Sequence, residues 1–254
     1  MYCVLALVVP VKAQAESELH QGIVIEKFAN VKTVEAWHAP SDPYYVLELM
    51  DAASLSEEGA LPDDDGPISL LLRPSETVPT EELQALQGNY VIVKGAYTEG
   101  EEYTPSDPAE SFPIEHVPGT KGESHPIKRG AGFVVTTVII PFLYDNGPDA
   151  FADGLARFGA NDKIGFFNES GGLIIPARFD FALPFSEGLA AFCSGCRKVQ
   201  DGEHSRHEGG QWGYIDLTGN AVIAPQYSEA RSFEGGEAQV KANGEWIVLP
   251  HPQR

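Results

Sequence analysis

Short apolar runs separated by turn residues recur along most of the chain and predict a protein built mainly from β-strands. Residues 173–175 (Leu-Ile-Ile) and 221–223 (Ala-Val-Ile) are rich in β-branched residues, and each run follows a turn sequence that contains glycine. Such runs are typical of strands joined in hairpins. The pattern therefore predicts consecutive β-hairpins in the C-terminal half, without a helical period.

The hairpin pattern also repeats at fixed intervals. Residues 164–192 align without a gap with residues 212–240 at a displacement of 48 positions, whereas Trp212 aligns with Trp246 at a displacement of 34. The difference is an insertion within residues 193–210. A period of roughly 20 to 50 residues indicates stacked units that bury a shared core. We expect this core to contain the equivalent aromatic residues of successive units, namely Phe166, Phe179, Phe185, Tyr214, Tyr227 and Phe233.

The motifs inside each unit resemble the bacterial WG repeat. Residues 211–216 read Gln-Trp-Gly-Tyr-Ile-Asp and are followed by Gly219 and by Pro-Gln-Tyr at residues 225–227, while residues 153–156 and 187–190 have the acidic-Gly-Leu-Ala element. The resemblance implies a β-rich repeat that mediates interactions, and it brings no shared catalytic residues.

Three features depart from that repeat pattern, one of which is the Gly-Gly-Glu sequence of residues 235–237 in place of the last acidic-Gly-Leu element. Ile164 stands where the repeat has tryptophan, and Ile247 stands where it has the following glycine. The array is nevertheless expected to extend to the end of the chain, as a β-repeat domain over residues 133–254.

The N-terminal half has a different order of elements. We predict a helix over residues 76–86, because Pro79 is followed by acidic residues in what would be its first turn. Strands are predicted at residues 22–27, 44–49, 68–72, 90–97 and 112–116. Three strands, a helix and two strands is the order of an OB-fold barrel. Residues 88–95 also resemble the fourth strand of OB-like domains in exported bacterial proteins.

These observations define the predicted domains. An OB-like barrel is expected over residues 16–117, and a linker rich in Gly and Pro over residues 118–132. Residues 1–15 have the pattern of a signal peptide, because an apolar run precedes Ala13 and Ala15, the small residues that signal peptidase requires. We therefore expect export to the periplasm or the medium, and no membrane span, because no apolar run approaches about 20 residues.

The charge is strongly acidic, with 37 Asp and Glu residues against 17 Lys and Arg residues and a formal net charge of −20. Nucleic acid is therefore not an expected partner, because its phosphates would be repelled. The run Asp63, Asp64 and Asp65 lacks the alternating ligand spacing of a calcium loop and is predicted to be solvated. No metal and no cofactor are expected.

Cys193 and Cys196 lie in the insertion and leave three interpretations open. A disulfide between them fits an oxidising compartment. A zinc site would need His204 and His207 to converge with both cysteines, at a spacing that is unusual for zinc. A thioredoxin-like redox pair would need a following helix, which the sequence does not predict.

The chain has no motif of an established catalytic class. The main prediction is an exported, non-enzymatic binding or scaffolding protein that acts through its repeat surface on a protein or glycan of the cell envelope. Trp212, Tyr214 and Trp246 are the candidate binding residues. The alternatives are a cell-envelope hydrolase with carboxylates in an interdomain cleft, and a spacer without a small ligand.

Overall fold

The computed structural model describes residues 17–27, 43–49, 69–98, 132–144, 147–201 and 204–252, and these residues are mostly in β-strands. The signal peptide, the aspartate run and the strand predicted at residues 112–116 lie outside the described residues. Among the described residues, no helix is long and apolar enough to cross a membrane.

Among the described residues of the N-terminal part, five strands and one short helix are present. The elements are β1 (Glu18–Lys27), β2 (Tyr44–Leu49), β3 (Ser69–Arg73), α1 (Thr80–Ala85), β4 (Tyr90–Thr98) and β5 (Gly132–Ile139). The strands close in the order β1-β2-β3-β5-β4, and every pairing is antiparallel except that of β3 with β5. The apolar side chains of this barrel, among them Val24, Leu47 and Phe133, are buried together with Leu83 of α1.

The last strand of the barrel corrects the predicted domain boundary. We expected a linker over residues 118–132 and the repeats from residue 133, but β5 pairs with β4 from Thr98↔Gly132 to Ile92↔Ile139. Residues 132–139 therefore belong to the barrel. The prediction was wrong here because a β-branched run has the same signature in either sheet, and periodicity does not reveal which neighbour a strand pairs with.

The described residues of the C-terminal part form twelve further strands. They are β6 (Leu143–Tyr144), β7 (Gly147–Pro148), β8 (Leu155–Ala160), β9 (Lys163–Asn168), β10 (Leu173–Phe179), β11 (Phe181–Ala182), β12 (Leu189–Asp201), β13 (His204–Asp216), β14 (Ala221–Tyr227), β15 (Glu229–Ala230), β16 (Glu237–Ala242) and β17 (Glu245–Pro250). The main sheets have the orders β10-β9-β8, β11-β12-β13-β14 and β15-β16-β17. The predicted succession of β-hairpins is confirmed.

Each repeat unit begins with a phenylalanine and a tight turn. Unit 1 starts at Phe151, unit 2 at Phe185 and unit 3 at Phe233, and the two turn residues that follow have positive φ in every unit, for example 56° at Glu187 and 81° at Gly188. Two consecutive positive φ values define the turn that best fits the twist of a hairpin. The hairpins β8–β9, β12–β13 and β16–β17 follow these turns.

The turns are joined from unit to unit by hydrogen bonds. Asp153 of unit 1 accepts a hydrogen bond from the amide of Gly188 in unit 2 at 2.7 Å, and Glu187 of unit 2 accepts one from the amide of Gly236 in unit 3 at 2.9 Å. We call this series the turn ladder. Because the same interaction recurs between equivalent positions, it fixes how each unit is placed on the preceding one.

Aromatic rings fill the space between units. Phe166 of unit 1 packs edge-on against Phe185 of unit 2, and Tyr214 of unit 2 packs against Phe233 of unit 3, with ring centroids 4.8 Å apart in both pairs. All four side chains are buried. The prediction that these residues form a shared core is therefore confirmed.

The barrel occupies the place of a preceding unit. Leu19 of β1 packs against the turn glycine Gly171 of unit 1, and the Lys94 ammonium donates to the Ser170 carbonyl at 3.1 Å. One unit later, Arg178 of unit 1 donates to the carbonyl of the equivalent turn glycine Gly219 at 2.6 Å. The barrel therefore covers the first end of the array.

An apolar cluster fills the junction between the barrel and the array. Ile139 at the end of β5 is buried against Ala156, Phe158 and Phe167 of unit 1. The backbone continues this contact, since the Gly159 amide donates to the carbonyl of Ile140, the residue after β5. The described part of the junction is a packed interface and gives no support to a hydrolase cleft lined by carboxylates.

Two equivalent phenylalanines that differ in burial allow a test of the repeat core, one substitution serving as the control for the other. Phe151 and Phe233 hold equivalent repeat positions, but Phe151 is 42% exposed and Phe233 is 0% exposed. We expect Phe233→Ala to lower the free energy of unfolding by about 3–5 kcal/mol, and Phe151→Ala to lower it by about 1 kcal/mol or less. Urea unfolding followed by circular dichroism measures both. Equal losses would contradict the proposed stacking of units.

Candidate functional site

Two of the three predicted binding residues line one groove. Trp212 and Trp246 lie on a groove of about 600 Å³, which we call the tryptophan groove. Residues 206–209 of β13 form one wall and residues 228–231, around β15, form the other. Equivalent positions of successive units thus contribute to a single groove.

Both walls of the groove are strand edges. Side chains alternate between the two faces of a strand, so four consecutive residues can border a groove only along the edge of the strand. On β13, the residues before Trp212 are paired with β12, and pairing with β14 begins only at Trp212↔Tyr227. β15 is paired with β16, on the side away from the groove. In the described part of the chain, the groove is therefore bounded by two strand edges.

Trp246 is the exposed aromatic residue of the groove. Its side chain is 42% exposed, the Arg231 guanidinium lies over its ring at 4.8 Å from the centroid, and the Lys241 ammonium lies at 5.7 Å. Lys241 also forms an ion pair with Glu229 at 2.6 Å. These contacts hold the indole and Arg231 in defined positions before any ligand binds.

The sequence explains why Trp246 is exposed. In units 1 and 2 a glycine follows this position, because β10 and β14 cross so closely over Gly165 and Gly213 that an added Cβ would overlap the backbones of Ile175 and Ile223. Unit 3 has Ile247 instead, and among the described residues no strand crosses β17. The outer surface of β17 is left open.

Tyr214, the third predicted binding residue, lies in the core. Its side chain is 0% exposed, its ring packs on Phe233, and its hydroxyl donates to the Arg231 carbonyl at 2.7 Å. Burial raises the pKa of this hydroxyl. The prediction that Tyr214 contacts a ligand is therefore wrong. The Tyr214 side chain points toward unit 3, where its hydroxyl group fixes the backbone of Arg231.

Cys193 and Cys196 are joined as a disulfide at the base of the β12–β13 hairpin. Gly195 between them has a φ of +81°, and its amide donates to the Asp180 carboxylate at 2.5 Å. Asp180 also pairs with Lys163, and this hydrogen bond is the main cause that lowers the pKa of the carboxyl group. The disulfide closes the short segment around Gly195, and the hydrogen bond from the Gly195 amide to Asp180 anchors the inserted hairpin to unit 1.

The surroundings of the cysteines differ from those of a zinc site and from those of a thioredoxin-like redox pair. Cys196 lies within strand β12 and not at the N-terminus of a helix, where a thioredoxin-like cysteine would lie. The His207 ring stacks on Phe181 at a centroid distance of 3.8 Å, and the His204 side chain lies outside the described residues. No group of three or more His, Cys, Asp or Glu side chains in the described ranges is arranged to hold a metal ion.

A buried ion pair, which the local sequence pattern did not predict, lies next to a second groove. Arg157 of β8 is fully buried, its guanidinium donates to both oxygens of Asp149 at 2.7 and 3.0 Å, and it lies 4.1 Å from the centroid of the Phe142 ring. Phe142 lines a separate groove of about 610 Å³ together with Asp180 and Lys198. The sequence feature that could have indicated this buried pair is Arg157, a charged residue inside the apolar run of residues 155–158.

Comparison with known proteins supports the repeat assignment. Residues 164–195 and 212–246 match the family model described as WG containing repeat. This match confirms the WG-repeat resemblance for those residues. No curated protein and no solved structure matches the chain.

The two tryptophans should respond differently to mutation. Trp212 is only 8% exposed and belongs to the core cluster of unit 2, so Trp212→Ala should lower the free energy of unfolding by about 3 kcal/mol or more. Trp246→Ala should change it by less than about 1 kcal/mol, because Trp246 is 42% exposed and does not belong to that core cluster. Denaturant titrations measure both. A loss for Trp246→Ala as large as that for Trp212→Ala would show that Trp246 is a core residue.

His207 should titrate below the usual histidine range. Burial, then Lys198 and then Arg157 disfavour the imidazolium and lower the pKa of His207 below 6.5. The unfolded chain therefore takes up the proton first, so the contribution of His207 to stability is complete above about pH 6.5 and is lost as the pH falls through the folded-state pKa. We expect an NMR titration to place the midpoint of His207 below 6.5.

One substitution isolates the contribution of His207 to the pH dependence of stability. His207→Phe preserves an aromatic ring against Phe181, but phenylalanine does not titrate. The free energy of unfolding of this variant should therefore depend less on pH between about 5 and 7 than that of the wild type. Identical pH dependence of the two proteins would contradict the assignment.

Proposed function

We propose that this chain is an exported binding protein, that the tryptophan groove is its ligand site, and that the ligand is a protein or glycan of the cell envelope. The observation that carries the proposal is the convergence of Trp212 and Trp246 on one groove, with Trp246 exposed and positioned by Arg231. The proposal assigns no catalytic step to the protein.

Energetic arguments favour this groove as a recognition site. Trp and Arg are enriched among the residues that contribute most to binding free energy at interfaces. Trp246 and Arg231 are ordered against each other before binding, which reduces the entropy lost when a ligand binds. The hydrogen bond from Tyr214 to the Arg231 carbonyl extends this order into the core of unit 2.

Two sequence features support export. Residues 2–11 are mostly apolar and precede Ala13 and Ala15, which is the pattern of a cleaved signal peptide. The disulfide between Cys193 and Cys196 agrees with an oxidising compartment.

We also propose that the N-terminal part is an OB-like barrel whose main role is structural. The strand order β1-β2-β3-β5-β4, with α1 between β3 and β4 in the chain, supports this comparison. Leu19 and Lys94 contact unit 1 at the positions where a preceding repeat unit would contact it. In this proposal the barrel covers the first end of the array, and ligand recognition belongs to the other end.

A capture experiment with a matched control tests the proposal. The full chain, Trp246→Ala and Phe151→Ala are immobilised and exposed separately to envelope and cytoplasmic extracts. Trp246 and Phe151 are equally exposed, both at 42%, so removal of either ring changes a similar surface. We expect a protein or glycan from the envelope extract to be retained by the wild type and by Phe151→Ala, and its affinity for Trp246→Ala to be at least about tenfold lower.

The affinities of the purified ligand for the wild type and for Trp246→Ala then test whether the tryptophan groove is its site. Equal affinity for wild type and Trp246→Ala would exclude the tryptophan groove as its site. Retention only from the cytoplasmic extract would contradict the export part of the proposal.

A further inference from the structure

We propose that the ligand of the tryptophan groove is an extended acidic peptide segment, which pairs with the free edge of β13 and places a carboxylate on Arg231. This inference rests on the proposed function, since it assigns a chemical class to the ligand of the same groove. It is supported by the geometry of the walls and by the distribution of charge within the groove.

The geometry of the walls suits a strand. A strand that is paired on one side only presents unpaired N–H and C=O groups along its other edge, and an extended peptide can pair with them. Residues 207–209 of β13 offer such an edge to the groove, and Glu229 and Ala230 of β15 line the groove across from it. Four residues in a strand span about 13 Å, so a peptide of four or five residues would follow the length of the wall.

The wall at β13 also leaves room for a second backbone. Gly209 has a φ of +73°, and a Cβ added at this position would meet no atom within 4 Å. The space beside this part of the edge is therefore open. A peptide backbone can approach it without displacing a side chain.

The charges in the groove favour a carboxylate on the ligand. Glu208 is paired with Arg206 at 2.6 Å, and Glu229 is paired with Lys241 at 2.6 Å. Arg231 is exposed and stacked on Trp246, and within the described ranges no carboxylate lies at ion-pair distance from its guanidinium. Among the described residues, the groove thus presents a positioned cation that no carboxylate neutralises, on a chain whose formal net charge is −20. A guanidinium is well suited to bind a carboxylate through two hydrogen bonds.

A peptide explains the site better than a glycan does. A sugar ring would be expected to stack on the open face of an indole, but the guanidinium of Arg231 already lies over the Trp246 ring. The strand edges would also have no role in sugar binding, whereas a peptide backbone uses them directly.

The test begins with a displayed library of random heptapeptides, which is panned against the immobilised full chain in the presence of excess soluble Trp246→Ala protein. We expect enrichment of peptides that contain Asp or Glu. Synthetic copies are then measured against wild type, Trp246→Ala and Arg231→Gln. Replacing the acidic residue of the peptide with its amide should weaken binding to wild type at least tenfold, and should have much less effect on binding to Arg231→Gln.

A backbone N-methyl scan of the peptide provides the signature of strand pairing. Methyl groups on alternate residues should reduce affinity at least tenfold, while methyl groups on the intervening residues should have little effect, because only every second N–H of a strand points to a given neighbour. Tolerance of every N-methyl group, or sensitivity without this alternation, would overturn strand pairing.

Other outcomes separate the inference from the proposed function. If no enriched peptide distinguishes wild type from Trp246→Ala, but glycans on an array do, the peptide inference is overturned and the groove remains the ligand site. If neither peptides nor glycans distinguish the two proteins, both the inference and the proposed function fail.

Discussion

A β-hairpin alone buries too little apolar surface to be stable in water, and this constraint shapes the array. Every unit therefore depends on contacts with its neighbour. The turn phenylalanine of one unit completes the core of the preceding unit, as Phe185 does for Phe166 and Phe233 for Tyr214. The turn ladder sets the relative position of the units, because a carboxylate at a fixed place accepts a hydrogen bond from the next turn glycine. Removing one unit would expose the aromatic core of another.

The first and last units of such an array each lack one neighbouring unit. The two units differ in how this is accommodated. The barrel covers unit 1 and repeats the contacts that one unit makes with the next. Unit 3 instead departs from the repeat pattern. Gly235 stands where the turn ladder would need a carboxylate, and Ile247 replaces the glycine over which another strand would cross. His251 packs its ring against Phe233 at a centroid distance of 4.8 Å, and its amide donates to the Gly236 carbonyl. These residues end the repeat interactions.

Much of this structure could be predicted from local sequence. The hairpins, the shared aromatic core and the strand at Tyr44–Leu49 followed from turn residues and apolar periodicity, because these features depend on neighbouring residues. The partner of β5 did not follow, since pairing is a long-range property. The repeat identified Trp212 and Trp246 as equivalent but could not show that one is 8% and the other 42% exposed. The buried pair of Arg157 and Asp149 depends on how segments pack together, and neither residue type predicts burial.

The groove arises where two irregularities of the repeat meet. The insertion lengthens β12 and β13 to 13 residues each, so part of β13 extends beyond the reach of β14 and has a free edge. Among the described residues no strand covers β17, and Trp246 is exposed on the opposite side. The disulfide and the Asp180 contact hold the base of the extended hairpin, while Tyr214 and Arg231 hold the tryptophan side. A regular repeat would have closed both edges, so the departures from the pattern create the surface that we propose for recognition.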